Sequence, residues 1–216
     1  MIIVFAKAPV PGRAKTRLIP RLGEWRAARL HERLLRHALA VAAASACGPV
    51  VLHGTARHST FRRSKGFTLQ AGNDLGERMH RAMQVSLKKA ERVILIGADC
   101  PALTPRDLRR ADRLLKGACD AVIAPAEDGG YGLIALRRNS PLLFEGIAWG
   151  GADVYRETLR RLERLGWRWR ALRNVWDVDR PEDLERLRAL RLAPARRRRA
   201  SRSRGNRARS GGSGRT

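Results

Sequence analysis

Short apolar runs alternate along this chain with longer segments in which apolar residues recur at helical spacing. The apolar runs, typical of buried strands, occupy residues 2–5, 50–53, 67–70, 92–97, 121–125, 131–136 and 167–175. The amphipathic segments, typical of helices, occupy residues 24–46, 75–90, 105–115, 152–165 and 181–190. This alternation predicts an α/β fold, a three-layer α/β/α sandwich with a mostly parallel central sheet. We expect ligands to bind beyond the carboxyl ends of its strands.

Positive charge is distributed unevenly along the chain. The net charge is +25, and the ten arginines from Arg191 onward, with no acidic residue among them, account for ten of those charges. We predict one folded domain over residues 1–190, which keeps +15, and a disordered Arg-rich tail over residues 191–216, because the tail has no apolar periodicity. Such a tail can bind nucleic acid or an anionic membrane surface weakly through phosphate contacts, or can be an extension under little constraint.

The length of the apolar runs and the spacing of cysteine and histidine argue against a membrane-spanning protein and against a zinc site. No apolar run approaches the roughly 18 to 20 residues that cross a bilayer, and residues 1–8 are too short for a signal peptide. The three cysteines lack CxxC spacing and the five histidines lack metal-binding spacing, so we predict reduced thiols and no zinc site. We therefore expect a cytoplasmic protein without a transmembrane segment.

A basic loop follows the first predicted strand, where a parallel sheet binds its ligands. It carries Lys7, Arg13, Lys15 and Arg17 around Gly12. Four cations at a strand end suit phosphate oxygens, and Gly12 allows the backbone to approach an anion closely. Because the loop lacks the Walker A pattern, a solvated basic loop is the alternative interpretation.

Three carboxylates follow other predicted strands. Asp99 lies at the carboxyl end of the strand over residues 92–97, where a hard oxygen ligand can hold Mg²⁺ or Mn²⁺, although an Asp before Pro can also serve only the turn. Asp177 and Asp179 alternate along an extended segment, so they share a face and can point into the same site. Asp179 is also well placed to cap the last helix.

Two glycine-rich turns complete the candidate sites. In the segment EDGGYG, the candidate substrate contacts are Asp128, Gly129, Gly130 and Tyr131, although a hairpin turn needs the same Gly-Gly. The segment over residues 70–79 is a strand-to-helix turn in which Asp74 and Arg78 are candidate phosphate contacts. Simple helix capping by Asp74 is the alternative there.

Five motifs occur together in the order and spacing of a known family. They are KAPVPGRAKTRL, GNDLGERM, IGADCPAL, EDGGYGLIAL and WDVDRPEDL. Through them, residues 2–190 resemble a bacterial glycosyltransferase-like family of the arsenosugar-biosynthesis type, with the nucleotide-diphospho-sugar transferase (GT-A) fold. The chain is more distantly similar to molybdenum-cofactor and 2-phospho-L-lactate guanylyltransferases. It departs from the family pattern at Arg180, where Thr is usual, and at Gly151, where Ser or Thr is common.

The resemblance implies a role for two of these motifs. It makes Asp99 a ligand of Mg²⁺ or Mn²⁺, and it makes the basic loop a nucleotide phosphate site. Asp177 and Asp179, which can point into the same site, are the candidates for a further metal ligand. Lys15 and Asp99 are then the predicted catalytic residues. The implied function is a metal-dependent glycosyltransferase with a nucleotide-sugar donor and a small-molecule acceptor. A nucleotidyltransferase that uses an NTP is the alternative, and a nucleic-acid-binding protein acting through its basic tail is the second alternative.

Overall fold

The structure, a computed structural model, describes residues 1–64 and 66–190 of the chain. Within that part, seven strands form one sheet: β1 (Ile2–Ala6), β2 (Val50–Gly54), β3 (Phe67–Leu69), β4 (Val93–Gly97), β5 (Ala121–Pro125), β6 (Tyr131–Leu136) and β7 (Trp169–Ala171). The α-helices are α1 (Ile19–Leu22), α2 (Glu24–Ser45), α3 (Leu75–Leu87), α4 (Pro105–Lys116), α5 (Val154–Arg164) and α6 (Asp183–Ala189). Short 3₁₀ helices span Thr16–Leu18, Ser59–Arg63 and Pro141–Leu143.

The strand order across the sheet is β3-β2-β1-β4-β6-β5-β7. Neighbouring strands are parallel except at β6, which runs antiparallel to both β4 and β5. The predicted α/β fold with a mostly parallel sheet is therefore confirmed. From β1 the chain adds strands first on one side and then on the other, so β1 and β4 flank the point where the winding reverses. Their carboxyl ends lie side by side, with Phe5 paired to Gly97, and crevices at such a point bind ligands in open α/β sheets.

Helices cover both faces of the sheet, which explains why its central strands are apolar runs without alternation. In β1, Ile2 and Val4 pack in one cluster with residues of α2 and α4, whereas Ile3 and Phe5 pack in another with residues of α3 and α5. All five residues of β1 are buried. A strand buried on both sides gains from every side chain, roughly 1.5 to 3 kcal/mol for each large apolar residue removed from water.

The start of α4 is closed by a capping box between Thr104 and Asp107. The Thr104 hydroxyl accepts from the backbone N–H of Asp107, while the Asp107 carboxylate accepts from the backbone N–H of Thr104. Asp107 also accepts hydrogen bonds from Arg173, at 3.1 and 2.8 Å. Arg173 precedes the Trp176–Asp179 segment, so this contact joins that segment to α4.

The last strand and the cap of the last helix differ from the sequence prediction. The strand expected over 167–175 is only Trp169–Ala171, followed by one further bridge between Ala126 and Val175. The prediction that Asp179 caps the last helix is wrong. The Asp183 carboxylate accepts from the backbone N–H groups of Asp179 and Arg180 instead, because the Asp179 side chain is engaged by Arg17.

The predicted tail over residues 191–216 lies outside the described residues. Among the residues that the structure does describe, no helix combines the length and the apolar character that crossing a membrane requires.

Candidate functional site

Lys15 is the buried centre of the basic loop that follows β1. Its side chain is only 4% exposed, and its Nζ lies 3.1 Å from Oδ2 of Asp99. Its backbone is left-handed, with φ 51° and ψ 47°, a conformation that costs a non-glycine residue about 1 kcal/mol or more. Ala14 and Leu18, both fully buried, anchor the chain on either side of it. The packing of the loop therefore aims one ammonium group at the carboxyl end of β4.

His31 holds the other oxygen of Asp99. It lies on the buried face of α2 and is 2% exposed. Its Nδ1 is 3.1 Å from Oδ1 of Asp99, and its Nε2 is 2.9 Å from the Lys7 carbonyl oxygen. The Asp99 carboxylate and the Lys7 carbonyl are both hydrogen-bond acceptors, so the ring contacts an acceptor on each side. His31 thus ties the basic loop, α2 and Asp99 together.

Asp99 is an ionised carboxylate in this setting. Burial alone would raise its pKa, but the Lys15 ammonium and the hydrogen bond from His31 outweigh burial and hold the pKa of Asp99 well below its usual range. The Asp99 backbone carbonyl accepts from the N–H of Val178, at 3.0 Å. This bond fixes the Trp176–Asp179 segment against the end of β4.

Asp177 and Asp179 share a face, as their alternation predicts. The intervening Val178 and the preceding Trp176 are buried in a cluster with residues of α2. Burial and the nearby Asp128 carboxylate raise the pKa of Asp177 to about 6, against the opposing influence of Lys15. Asp179 forms an ion pair with Arg17. Asp99 and Asp177 therefore bring negative charge from two segments to Lys15, and Asp128 interacts with Asp177.

The resemblance implies a divalent cation, and the arrangement of these side chains shows whether they fit one. Carboxylate oxygens are the right chemistry for Mg²⁺ or Mn²⁺. Their arrangement does not fit, because Lys15 and His31 occupy both oxygens of Asp99 and Arg17 engages Asp179. In residues 1–64 and 66–190, no three His, Cys, Asp or Glu side chains converge as a metal site. The metal role of Asp99, Asp177 and Asp179 stays a prediction.

The other members of the basic loop surround this centre. The side chains of Lys7, Arg13 and Arg17 are exposed, and Arg17 is already paired with Asp179. Gly12 has φ +77°, and a Cβ at that position would lie 3.4 Å from a carboxylate oxygen of Glu24 on α2. The loop thus presents exposed cations on a backbone that is held in place, as a phosphate site requires.

The EDGG segment forms the turn between β5 and β6. Asp128 Oδ1 accepts from the backbone N–H of Gly130 at 3.0 Å. Gly129 has φ +87°, and a Cβ there would overlap the carbonyl oxygen of Ala152. These residues therefore fulfil the hairpin role that the sequence left open, and their contact with a substrate stays a prediction.

An apolar cavity of about 210 Å³ lies beside the carboxylates, at the same edge of the sheet. Its walls include Phe5, Met79, Leu95, Tyr131 and Trp149, and Asp128 also lines it. The rings of Tyr131 and Trp149 meet edge to face with centroids 6.4 Å apart. A protein cavity of about 150 Å³ holds benzene, so this one has room for a compact apolar group.

Asp74 and Arg78 stabilise the turn before α3. Asp74 is the N-cap residue, and its Oδ1 accepts from the N–H of Glu77 at 2.7 Å. Arg78 Nε donates to the carbonyl oxygen of Gly72 at 2.9 Å. The capping alternative is thus confirmed for Asp74, and a phosphate contact for either residue stays a prediction.

His31 is the functional candidate that sequence reasoning missed. The spacing of the histidines predicts no metal site, and the partner of His31 is 68 positions away in the sequence. The available signal was its place on the apolar face of α2, beside Ala27, Leu34 and Leu35. A histidine at a core-facing position requires partners for its ring nitrogens.

Three solved structures share this fold. A protein from Desulfovibrio desulfuricans G20, provisionally named a nucleotide-diphospho-sugar transferase, is 35% identical, with 86% of this chain and 84% of that chain covered and a TM-score of 0.80. CMP:2-keto-3-deoxy-manno-octonic acid synthetase complexed with CTP is 16% identical, with 88% and 96% covered and a TM-score of 0.50. A cytidylyltransferase from Leptospira borgpetersenii serovar Hardjo-bovis is 13% identical, with 87% and 84% covered and a TM-score of 0.52.

The two more distant structures show the fold alone. No protein with a curated description matches the chain. The resemblance to the arsenosugar-biosynthesis type and to guanylyltransferases stays a prediction. One family model matches residues 33–151, and its description is an uncharacterized protein conserved in bacteria (DUF2064). With more than half of its length matched by that model, the chain belongs to the DUF2064 family.

Proposed function

We propose that this protein is a glycosyltransferase that uses a nucleotide-sugar donor. The observation that carries the proposal is the Lys15–Asp99–His31 assembly, in which buried Lys15 and His31 flank the partly exposed Asp99 carboxylate at the point of the sheet where the winding reverses. The 35% identical Desulfovibrio protein, provisionally named a nucleotide-diphospho-sugar transferase, supports the same class of donor.

The basic loop is the proposed site for the donor diphosphate. Lys7, Arg13 and Arg17 supply exposed cations, and Lys15 supplies a buried one. When the glycosidic bond to the diphosphate breaks, negative charge develops on the leaving nucleoside diphosphate. Fixed cations stabilise that charge without reorganising, which makes such contacts a large contribution to catalysis.

The apolar cavity is the proposed acceptor site. It opens beside Asp128, whose carboxylate interacts with Asp177. An acceptor whose apolar part packs against Tyr131 and Trp149 in the cavity would place a polar group near these carboxylates. Orientation of this kind lowers the barrier to transfer by holding the reacting groups together.

A nucleotidyltransferase is the second candidate. The observation that favours it is the buried ammonium of Lys15 beside a loop rich in exposed cations, because attack on the α-phosphorus of an NTP places charge on phosphate oxygens in the same region. The two candidates share the nucleotide site and differ in the bond that breaks.

The products of the reaction distinguish the two. The full-length protein is first screened by thermal shift with nucleotide sugars and NTPs, each with and without Mg²⁺ or Mn²⁺, since a bound ligand raises the melting temperature. Nucleotides that stabilise the protein are then incubated with candidate acceptors. Release of a nucleoside diphosphate supports glycosyl transfer, whereas release of pyrophosphate from an NTP supports nucleotidyl transfer.

Asp99→Asn tests whether the Lys15–Asp99–His31 site is responsible for the transfer reaction. We expect the variant to lose at least about 100-fold in turnover, because the charge that positions Lys15 is gone. Asp112→Asn is the matched control: Asp112 lies 2.9 Å from Lys116 and 3.2 Å from Arg92, beyond the opposite end of β4. The proposal would be contradicted if none of the nucleotides stabilised the protein, or if both variants had the same turnover.

A further inference from the structure

Each carboxylate oxygen of Asp99 contacts a cationic or hydrogen-bonding side chain of this chain, while 40% of the Asp99 side chain remains exposed. Lys15 Nζ is 3.1 Å from one carboxylate oxygen and His31 Nδ1 is 3.1 Å from the other. A divalent cation needs at least one of these oxygens, and an ammonium 3 Å away would repel it strongly. Asp99 can therefore hold Lys15 or a divalent cation on Oδ2, but not both together.

The two partners of Asp99 differ in how easily they can leave. His31 lies on a 22-residue helix and is held at its other nitrogen by the Lys7 carbonyl. Lys15 belongs to a loop, and its long side chain can swing by rotation about its own bonds. Lys15 is the partner that can exchange.

The surroundings of Lys15 indicate what would draw it away. Arg13 and Arg17 lie within two residues of it on the same loop, and both are exposed. A phosphate group bound among these cations would offer the Lys15 ammonium a second anionic partner. Turning toward the phosphate would leave an oxygen of Asp99 open, beside the Asp177 carboxylate that already interacts with Lys15.

We propose that Lys15 is the resident counter-cation of Asp99, competes with a divalent cation for that carboxylate, and gives way more readily when a phosphate group draws the ammonium away. Metal and phosphate would then bind with positive cooperativity, since each favours the arrangement in which Lys15 has left Asp99. The part that concerns phosphate rests on the proposed function, because the phosphate would belong to the nucleotide. Competition between Lys15 and the metal does not depend on the nucleotide.

Binding of Mn²⁺ to the full-length protein without nucleotide tests the proposal, with free Mn²⁺ measured by electron paramagnetic resonance. We expect weak binding to the wild type and at least about tenfold tighter binding to Lys15→Met, which keeps the length of the side chain and removes its charge. Lys15→Arg keeps the charge and should bind as weakly as the wild type. Arg13→Met removes a charge from the same loop without freeing Asp99, and should change the affinity little.

A double-mutant cycle separates competition at Asp99 from a general effect of charge. In the Asp99→Asn background, Lys15→Met should bring no gain in Mn²⁺ affinity, because the carboxylate for which the two cations compete is absent. An unchanged affinity in Lys15→Met, or a gain of equal size with Asp99→Asn, would overturn the proposal.

A measurement on the wild type covers the case in which Lys15→Met fails to fold. Reductive methylation followed by peptide mass spectrometry reports the exposure of each lysine amine. Lys15, 4% exposed, should react slowly, and faster when the Mn²⁺ concentration is raised; exposed Lys7 is the internal reference. Protection of Lys15 that persists at every Mn²⁺ concentration would overturn the proposal. If no nucleotide binds, the glycosyltransferase proposal fails while these Mn²⁺ results stand.

Discussion

Lys15 combines three features that are each unfavourable for a lysine. It is buried, it carries a charge, and its backbone is left-handed. Burying an ammonium without a partner costs several kcal/mol, so the contact with Asp99 is necessary for the loop to fold in this way. A residue placed at such a cost, at the edge of a sheet where ligands bind, indicates a functional role.

His31 should act as a positioning residue for Asp99. We expect His31→Leu to lower kcat/KM by about 10- to 100-fold, because a hydrogen-bond partner that orients a functional carboxylate has an effect of this size. His31→Asn keeps a donor near Asp99 and should restore part of the loss. The control is His37→Leu on the same helix, where the ring contacts the Pro101 carbonyl oxygen. Equal kcat/KM losses for the two leucine variants would contradict the role.

His53 on β2 should make the fold sensitive to acid. It is 7% exposed and stacks on Phe5 with ring centroids 5.6 Å apart, and burial lowers its pKa to about 4. The unfolded chain takes up the proton near pH 6.5, whereas the folded chain resists it until about pH 4. Stability contributed by neutral His53 is therefore present above pH 6.5 and is lost as the pH falls toward 4, by up to about 3 kcal/mol.

His53→Leu provides the comparison for that prediction. Urea unfolding of both proteins at pH 7.5, 5.5 and 4.5 should show a smaller loss of stability on acidification in the variant, since it has no imidazole to protonate. Parallel pH profiles for the two proteins would show that His53 is not responsible.

The β5–β6 turn determines where the edge of the cavity lies. Gly129 has φ +87° and packs against the Ala152 carbonyl, just before α5. The N–H of Tyr155 donates to the Gly129 carbonyl oxygen at 2.8 Å. The turn and the start of α5 are therefore fixed to each other, and this fixes the wall that Tyr131 and Val154 contribute to the cavity.

Gly129, in the β5–β6 turn, and Gly150, before α5, form a matched pair for comparison. Both have φ +87°, but a Cβ at Gly150 meets no atom within 4 Å. Gly150→Ala should cost about 1 kcal/mol from its backbone conformation alone. Gly129→Ala should cost clearly more, because it adds an overlap with backbone that cannot move freely. Urea unfolding measures both, and equal losses would contradict the packing described for Gly129.

The capping box of α4 gives a second prediction at the scale of an element. Thr104→Ala should lower the free energy of unfolding by about 1 kcal/mol, since it removes the side-chain acceptor of the Asp107 N–H. Ser140→Ala is the control, because Ser140 precedes the Pro141–Leu143 turn without a capping hydrogen bond from its side chain. The prediction fails if urea unfolding gives the two variants the same loss.

The whole molecule brings the candidate site together through its sheet order. Because β1 pairs with β4, the loop that begins at Lys7 meets Asp99 across about 90 residues of sequence. The packing of α2 on the same edge adds His31, and the segment after β7 adds Asp177 and Asp179. No single element contains the site, so its geometry depends on the complete sheet.

Deletion of residues 191–216 tests whether residues 1–190 bind nucleotide without the Arg-rich tail. Residues 1–190 contain the whole described sheet and its helices, so the shortened protein should keep its melting temperature and its stabilisation by nucleotide. Affinity for a single-stranded RNA should fall and depend less on salt, because ten arginines are removed. If nucleotide-dependent stabilisation disappeared with the tail, the proposal of a site on the sheet would be wrong.

Much of the fold and part of the site follow from sequence alone. Local hydrophobic periodicity determined the strands and helices, since a strand buried on both faces must be an apolar run and a helix packed on one face must be amphipathic. It also located the basic loop and Asp99 at strand ends, and the alternation of Asp177 with Asp179. These features depend on residues close together in the chain.

Tertiary structure alone decided which of these residues meet. The ion pair of Lys15 with Asp99 and the hydrogen bond from His31 join residues 84 and 68 positions apart. The pairing of Arg17 with Asp179, which displaced the predicted cap, spans 162 positions. Periodicity reports which face of an element is buried but not its neighbour in space, and that neighbour is set by the order of strands in the sheet and the packing of helices across it.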